Sequence, residues 1–157
     1  MPASLPTPVT ETLGFRLGRL QRVLRRRWEE DLSDLHLTPP QSAILRAISA
    51  APGSGIRALA RSLGVDAMSV KRCVDDLEAR GLVESGHRSL DRRPRTLRLT
   101  AGGLALVARV NQRQRRREED LAGALSPTQM SRLTAALARL EAHLGIGAPD
   151  DEEEEDA

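Results

Sequence analysis

Cysteine occurs once in the 157 residues, at Cys73, so no disulfide can form within the chain and a disulfide-stapled secreted scaffold is excluded. Aromatic residues are nearly missing: Phe15 and Trp28 are the two, and there is no tyrosine. A core must then be assembled from Leu, Ile, Val and Ala, which suits packed helices better than an all-β sandwich. Long apolar runs are missing too. No stretch approaches the length that spans a bilayer, and residues 1–10, with Pro2, Pro6 and Pro8, hold no apolar segment of signal-peptide length. The expectation is a cytoplasmic protein without a membrane partner. No nucleophile with a paired base, phosphate loop or metal cluster stands out, so neither an enzyme nor a cofactor is expected.

Lysine is scarce as well. Lys71 is the one lysine among 24 basic residues, and the rest are arginine, which favours planar, bidentate contact with phosphate and guanine. The net charge of +2 conceals an asymmetry. Seven of the 22 acidic residues fall in residues 150–156, so residues 1–149 carry 24 basic against 15 acidic groups, a net +9. A basic body makes nucleic acid the first partner to consider, although coding bias also produces arginine in place of lysine.

What is present is helical periodicity. Leu13, Leu17, Leu20, Leu24, Trp28 and Leu32 form one stripe of a long amphipathic helix, whose other face carries Arg16, Arg19, Arg22, Arg25, Arg26 and Arg27. Thr38-Pro39-Pro40-Gln41 starts a second helix: Thr38 caps, Pro39 takes the first helical position and Gln41 completes a capping box. That helix runs through Ile44, Leu45 and Ile48 and stops before Pro52-Gly53. A short helix over about residues 57–63 ends at Gly64, and another begins after Asp66 as N-cap, with Val70, Val74 and Leu77 on one face. Residues 82–85 and 96–99 read as two strands around an Arg-rich connection. Thr100 opens a helix with Leu104, Val107 and Val110 on its apolar face. Ser126-Pro127-Thr128-Gln129 is a second capping box and starts a final helix bearing Met130, Leu133, Leu137, Leu140 and Leu144.

Two short helices joined by a glycine turn make a helix-turn-helix. Ala60 allows close approach, Gly64 supplies the turn, and Leu59, Leu63, Val65 and Val70 close a small core. The second helix then projects Ala67, Met68, Ser69, Lys71 and Arg72 towards a major groove. An ordinary packed helix pair is the alternative. Arg88, Arg92, Arg93 and Arg95 in the strand connection have no obvious core partner, and a wing entering a narrow minor groove accounts for them. Two further readings stay open: a winged-helix module that binds protein, and a small-molecule-binding protein without a DNA function.

The sequence resembles the MarR (multiple antibiotic resistance regulator) family of winged-helix repressors. The matching pieces are Leu37-Thr38-Pro39, Leu59-Ala60, Leu63-Gly64-Val65, the run from Val70 to Glu78, Arg80-Gly81-Leu82-Val83, Asp91-Arg92-Arg93, and Leu97-Arg98-Leu99-Thr100-Ala101-Gly102-Gly103. The Asp-Arg-Arg wing followed by Leu-x-Leu-Thr-x-x-Gly is the most specific of them. The resemblance implies a mainly α fold with a small β-hairpin wing, a winged helix-turn-helix flanked by N- and C-terminal dimerisation helices. The expected division is a leader over 1–10, a dimerisation helix over 11–35, the DNA-binding domain over 36–100, dimerisation helices over 101–145 and a disordered acidic tail over 146–157. It also implies a homodimeric repressor on a pseudo-palindromic operator, with Arg93 in the minor groove and Asp91 orienting the wing arginines by salt bridge. Asp66, Ala67 and Met68 stand where many relatives have small hydroxyl residues, and Lys71 where Thr or Ser is frequent, so the operator is expected to differ.

Smaller signals carry less. Cys73 lies between Val70 and Val74, which reads as a buried structural cysteine, not a redox sensor. His36, His87 and His143 lack metal-ligand spacing. His36 falls near the region in which members of the family hold a small aromatic or phenolic effector, and Trp28 can line the same cleft; simple packing and capping is the other reading.

Overall fold

A computed structural model describes residues 8–86 and 96–146. The chain falls into two compact units, divided between Pro39 and Pro40.

The first unit is one long helix between two short turns. A 3-10 turn over Val9–Glu11 leads into α1 (Leu13–Leu32), and a second covers Ser33–Leu35. The Thr12 hydroxyl donates to the Val9 carbonyl at 2.8 Å and fixes the entry. Trp28, Leu32, Leu35 and Leu37 are buried, whereas Leu13, Leu17, Leu20 and Val23 are exposed. The leucine stripe is therefore covered at its C-terminal end, half-covered at Leu24 and bare from Leu13 to Leu20. The chain leaves through His36, whose backbone is left-handed (φ 52°, ψ 40°). The amides of His36 and Leu37 reach back to the carbonyls of Ser33 (3.1 Å) and Leu32 (3.5 Å).

The second unit holds α2 (Pro39–Ala50), α3 (Ile56–Leu63), α4 (Ala67–Ala79), β1 (Val83–Gly86), β2 (Thr96–Leu99), α5 (Ala101–Ala122) and α6 (Pro127–His143). Its core is aliphatic, as the composition dictates: Ile44, Leu45 and Ile48 of α2, Leu59 of α3, Val70, Val74 and Leu77 of α4, Leu97 of β2, and Val107 and Val110 of α5 are all buried. The strands pair antiparallel, with Val83 opposite Leu99 and Gly86 opposite Thr96. Val83 and Leu97 point inward while Glu84 and Arg98 are exposed, the period-2 alternation of a sheet with one covered face. The other edge of β2 is not left open. Gly53 donates to the Leu97 carbonyl at 2.9 Å and Leu97 donates to the Ser54 carbonyl at 3.1 Å, so the loop after α2 serves as a third strand in miniature.

Three helices of this unit stop in the same way. After α3, α4 and α6, a glycine in left-handed conformation (Gly64, φ 64°; Gly81, φ 67°; Gly145, φ 72°) is followed by an apolar residue whose amide bonds five residues back. Those bonds run from Val65 to Ala60 (3.0 Å), from Leu82 to Leu77 (2.9 Å) and from Ile146 to Glu141 (3.0 Å). This is the Schellman arrangement, which satisfies the last carbonyls and needs a residue tolerant of positive φ. His36 occupies the equivalent place after the first unit's last turn.

Several expectations shift by small amounts, each for a local reason. The first strand begins at Val83 instead of Leu82, because the Leu82 amide is engaged in the stop of α4. Val65 is 48% exposed and does not close the helix-turn-helix core; it is the residue after a Schellman glycine and is turned outward. Leu104 is 54% exposed, since the buried face of α5 follows Gly103, Val107 and Val110. Cys73 is half-buried, not buried. No residue of α6 is buried, so its stripe of Leu133, Leu137 and Leu144 is bare. The expected capping box at its start is present: Ser126 accepts from the Gln129 amide at 3.3 Å, and Gln129 accepts from the Ser126 amide at 2.8 Å.

Candidate nucleic-acid interface

Helix α4 is built to be presented. Gly64 turns the chain, and two residues later Asp66 caps the new helix. Its carboxylate accepts from the Ser69 amide at 2.8 Å and from the Ser69 hydroxyl at 2.6 Å. The Ser69 hydroxyl, then the Ser69 amide, hold the Asp66 carboxyl below the ordinary carboxylate range. Leu59 and Ala60 of α3 are buried, as are Val70, Val74 and Leu77 along one face of α4. The opposite face is free to meet another molecule.

Of the residues expected to read bases, Met68 is 62% exposed, and Lys71 and Arg72 are exposed. They share one side of the helix by the i, i+3 and i+4 spacing from Met68. Ala67 and Ser69 are half-buried, and the Ser69 hydroxyl donates to Asp66. Lys71 Nζ lies 2.6 Å from Asp75 Oδ2. That exposed ion pair is worth little and is easily exchanged for a phosphate or a base edge.

The far end of α4 is tied to the hairpin. The Thr100 hydroxyl donates to the Gly81 carbonyl at 2.7 Å and accepts from the Gly103 amide at 3.1 Å, capping α5 as it does so. A Cβ at Gly103 would overlap the Leu82 carbonyl oxygen, so a glycine is required for α5 to lie this close to the stop of α4. Ser85 on β1 donates to the Glu78 carboxylate. Asp76 accepts from the Gln41 side-chain amide at 2.7 Å and lies 3.6 Å from Arg80, linking α2 to the outer side of α4. The Thr100–Gly103 pair was visible in the motif Leu-Thr-x-x-Gly. The Gln41–Asp76 bond spans 35 positions, and no local pattern announces it.

Arg88, Asp91, Arg92, Arg93 and Arg95 lie outside the described residues, as does His87. The described part of the hairpin fixes where that connection starts and ends, at Gly86 and Thr96. Trp28 is buried on α1 and His36 is exposed at the end of the first unit. The Cys73 thiol is pushed up by partial burial and by the nearby Asp76. Among the described residues no group of three or more His, Cys, Asp or Glu could hold a metal ion. No described helix is long and apolar enough to cross a membrane.

Residues 36–94 match the sequence profile of the MarR family. A Thauera aromatica protein named for transcriptional regulation of the hcr operon is 32% identical over 129 residues, 82% of this chain and 78% of its own length. The chain belongs to the MarR family. Among solved MarR-fold structures, the transcriptional repressor CouR bound to a 23-mer DNA duplex is 30% identical, with a TM-score of 0.76 over 84% of this chain and 94% of CouR. A MarR family protein of Mycobacterium tuberculosis in complex with salicylic acid is also 30% identical, with a TM-score of 0.64 over 82% of this chain and 96% of that one. This MarR protein is therefore a DNA-binding transcriptional regulator with the winged helix-turn-helix fold.

Proposed function

We propose that this MarR protein is a homodimeric, ligand-responsive repressor of the bacterial cytoplasm, residing on the nucleoid. The observation that carries the reading is a capped α4 whose Met68, Lys71 and Arg72 face outward with no core role. Two such helices, one per protomer, enter successive major grooves of a pseudo-palindrome, about 34–36 Å apart. Arg88, Arg92, Arg93 and Arg95 contact the flanking minor grooves, with Asp91 orienting them. The bare leucines of α1 and α6 supply the dimer face, which fits a division into a leader over 1–10, dimerisation helices over 11–35 and 101–145 around the domain over 36–100, and an acidic tail over 146–157.

A small aromatic or phenolic effector, held near Trp28 and His36, sets the DNA affinity. The salicylic acid complex of the mycobacterial relative supports that chemical class. Selection from a pool of random duplexes tests the DNA reading directly, and a palindrome is the expected product. Arg93→Ala should abolish operator binding while leaving helical content and dimer mass unchanged. Normal binding by that variant would sink the wing assignment.

A further inference from the structure

The charge asymmetry of the chain has a geometric counterpart at its C-terminal end. Seven carboxylates follow one another in residues 150–156. The last described residue before them is Ile146, held by its amide to the Glu141 carbonyl at 3.0 Å in the stop of α6. Its Cγ2 methyl sits 3.2 Å from where a Cβ on Gly64 would be. Gly64 is the turn of the helix-turn-helix, three positions before α4 begins. The described chain thus ends, four residues short of the acidic run, beside the turn that leads into α4.

Reach and charge both fit that placement. An extended chain covers about 3.3–3.6 Å per residue, so Asp150 comes within about 14 Å of Ile146 and Asp156 within about 36 Å. The 13-residue α4 is about 20 Å long. The exposed basic residues of the helix-turn-helix include Arg57 in the first turn of α3, and Lys71 and Arg72 on α4, all within that reach by chain length. Asp66, Asp75 and Asp76 are exposed on the same helix-turn-helix: Asp75 pairs with Lys71 at 2.6 Å and Asp76 lies 3.6 Å from Arg80, so the tail must displace Asp75 to reach Lys71, while Arg57 and Arg72 offer it charge directly.

We propose that residues 150–156 dock on the DNA-reading face of α4 in their own chain, next to Arg57, Lys71 and Arg72, and compete there with the phosphates of DNA. This rests on α4 being the DNA-reading helix. A tether this short holds the tail at an effective concentration on the order of 1 mM. Set against a docking Kd on the order of 0.1–1 mM, comparable to the weakest non-specific DNA binding, it lowers apparent DNA affinity about 2- to 10-fold at low salt. The tail raises the threshold for non-specific binding and leaves a tight operator complex able to displace it.

Two measurements on the full chain decide the matter. The first compares it with a chain ending at Pro149 for binding to a labelled mixed-sequence duplex by fluorescence anisotropy. The truncated chain should bind about 2- to 10-fold tighter at about 50 mM salt, with the gap closing near 200 mM. The second places a spin label on the tail in Ala157→Cys with Cys73→Ser and reads amide broadening without DNA. The amides of Ser69–Arg72 should broaden selectively and recover when salt or duplex is added. Equal affinities overturn the proposal. So does tighter binding of the truncated chain without selective broadening, which would reduce the tail to a net-charge effect. If neither chain binds duplex, the DNA reading of α4 fails, while the spin label still decides whether the tail docks.

Discussion

Single residues set the geometry of α4. Gly103 is the sharpest case. Substitution by Ala would drive a methyl into the Leu82 carbonyl, and its helix-propensity gain of about 1 kcal/mol cannot offset that overlap. Gly103→Ala should lose on the order of 3 kcal/mol in urea unfolding, and a loss under about 0.5 kcal/mol would contradict the close approach. Asp66 gives a pH signature. Its pKa is lower in the folded chain than in the unfolded one, because the ionised form accepts from Ser69 twice. The resulting stabilisation is complete above the ordinary carboxylate range and is lost as pH falls through the lowered folded value. Asp66→Asn keeps a capping acceptor that does not titrate. Its unfolding midpoint should therefore vary less with pH below the ordinary carboxylate range than that of the natural protein.

Elements show how far local sequence carries a fold. Helix stops were legible because a left-handed position selects glycine, and Gly64, Gly81 and Gly145 each do what their residue type allows. Caps were legible for the same kind of reason: Asp66, Thr100 and Ser126 each accept from an amide three residues on. Burial was less so. Leu104 and the leucines of α6 have the periodicity of a core face, and periodicity says that a face will be covered without saying by what. Contacts between distant positions, such as Gln41 with Asp76 or the third-strand role of Gly53 and Ser54, have no local signal at all. Within α4, the Lys71–Asp75 pair is exposed and cheap to break. Lys71→Ala should accordingly leave the fold intact and cost about 1–3 kcal/mol on the preferred operator, with a far smaller loss on random duplex. Equal losses on both would make Lys71 a phosphate contact.

At the scale of the whole molecule, the unpaid debt is apolar surface. Leu13 and Leu20 on α1, and Leu133 and Leu137 on α6, stay in water in the isolated chain. About half of each side chain is still exposed, so burying the remainder gains about 1 kcal/mol apiece, and several such residues on each of two protomers favour association once the ordering costs of binding are met. Leu137→Glu should convert a dimer into a monomer in sedimentation equilibrium and weaken operator binding, because one protomer reads one half-site. An unchanged mass would place the dimer face elsewhere.

Thr100 has a consequence for movement. One hydroxyl joins the stop of α4 to the first turn of α5, and Gly103 removes the side chain that would hold the two apart. The 22-residue α5 is about 33 Å long. A swing of about 5° pivoting at Thr100 moves its far end by about 3 Å, close to the rise of two helical residues. The hydroxyl thus sits at the joint of a long lever, where a small change of angle is a large change of position at the far end.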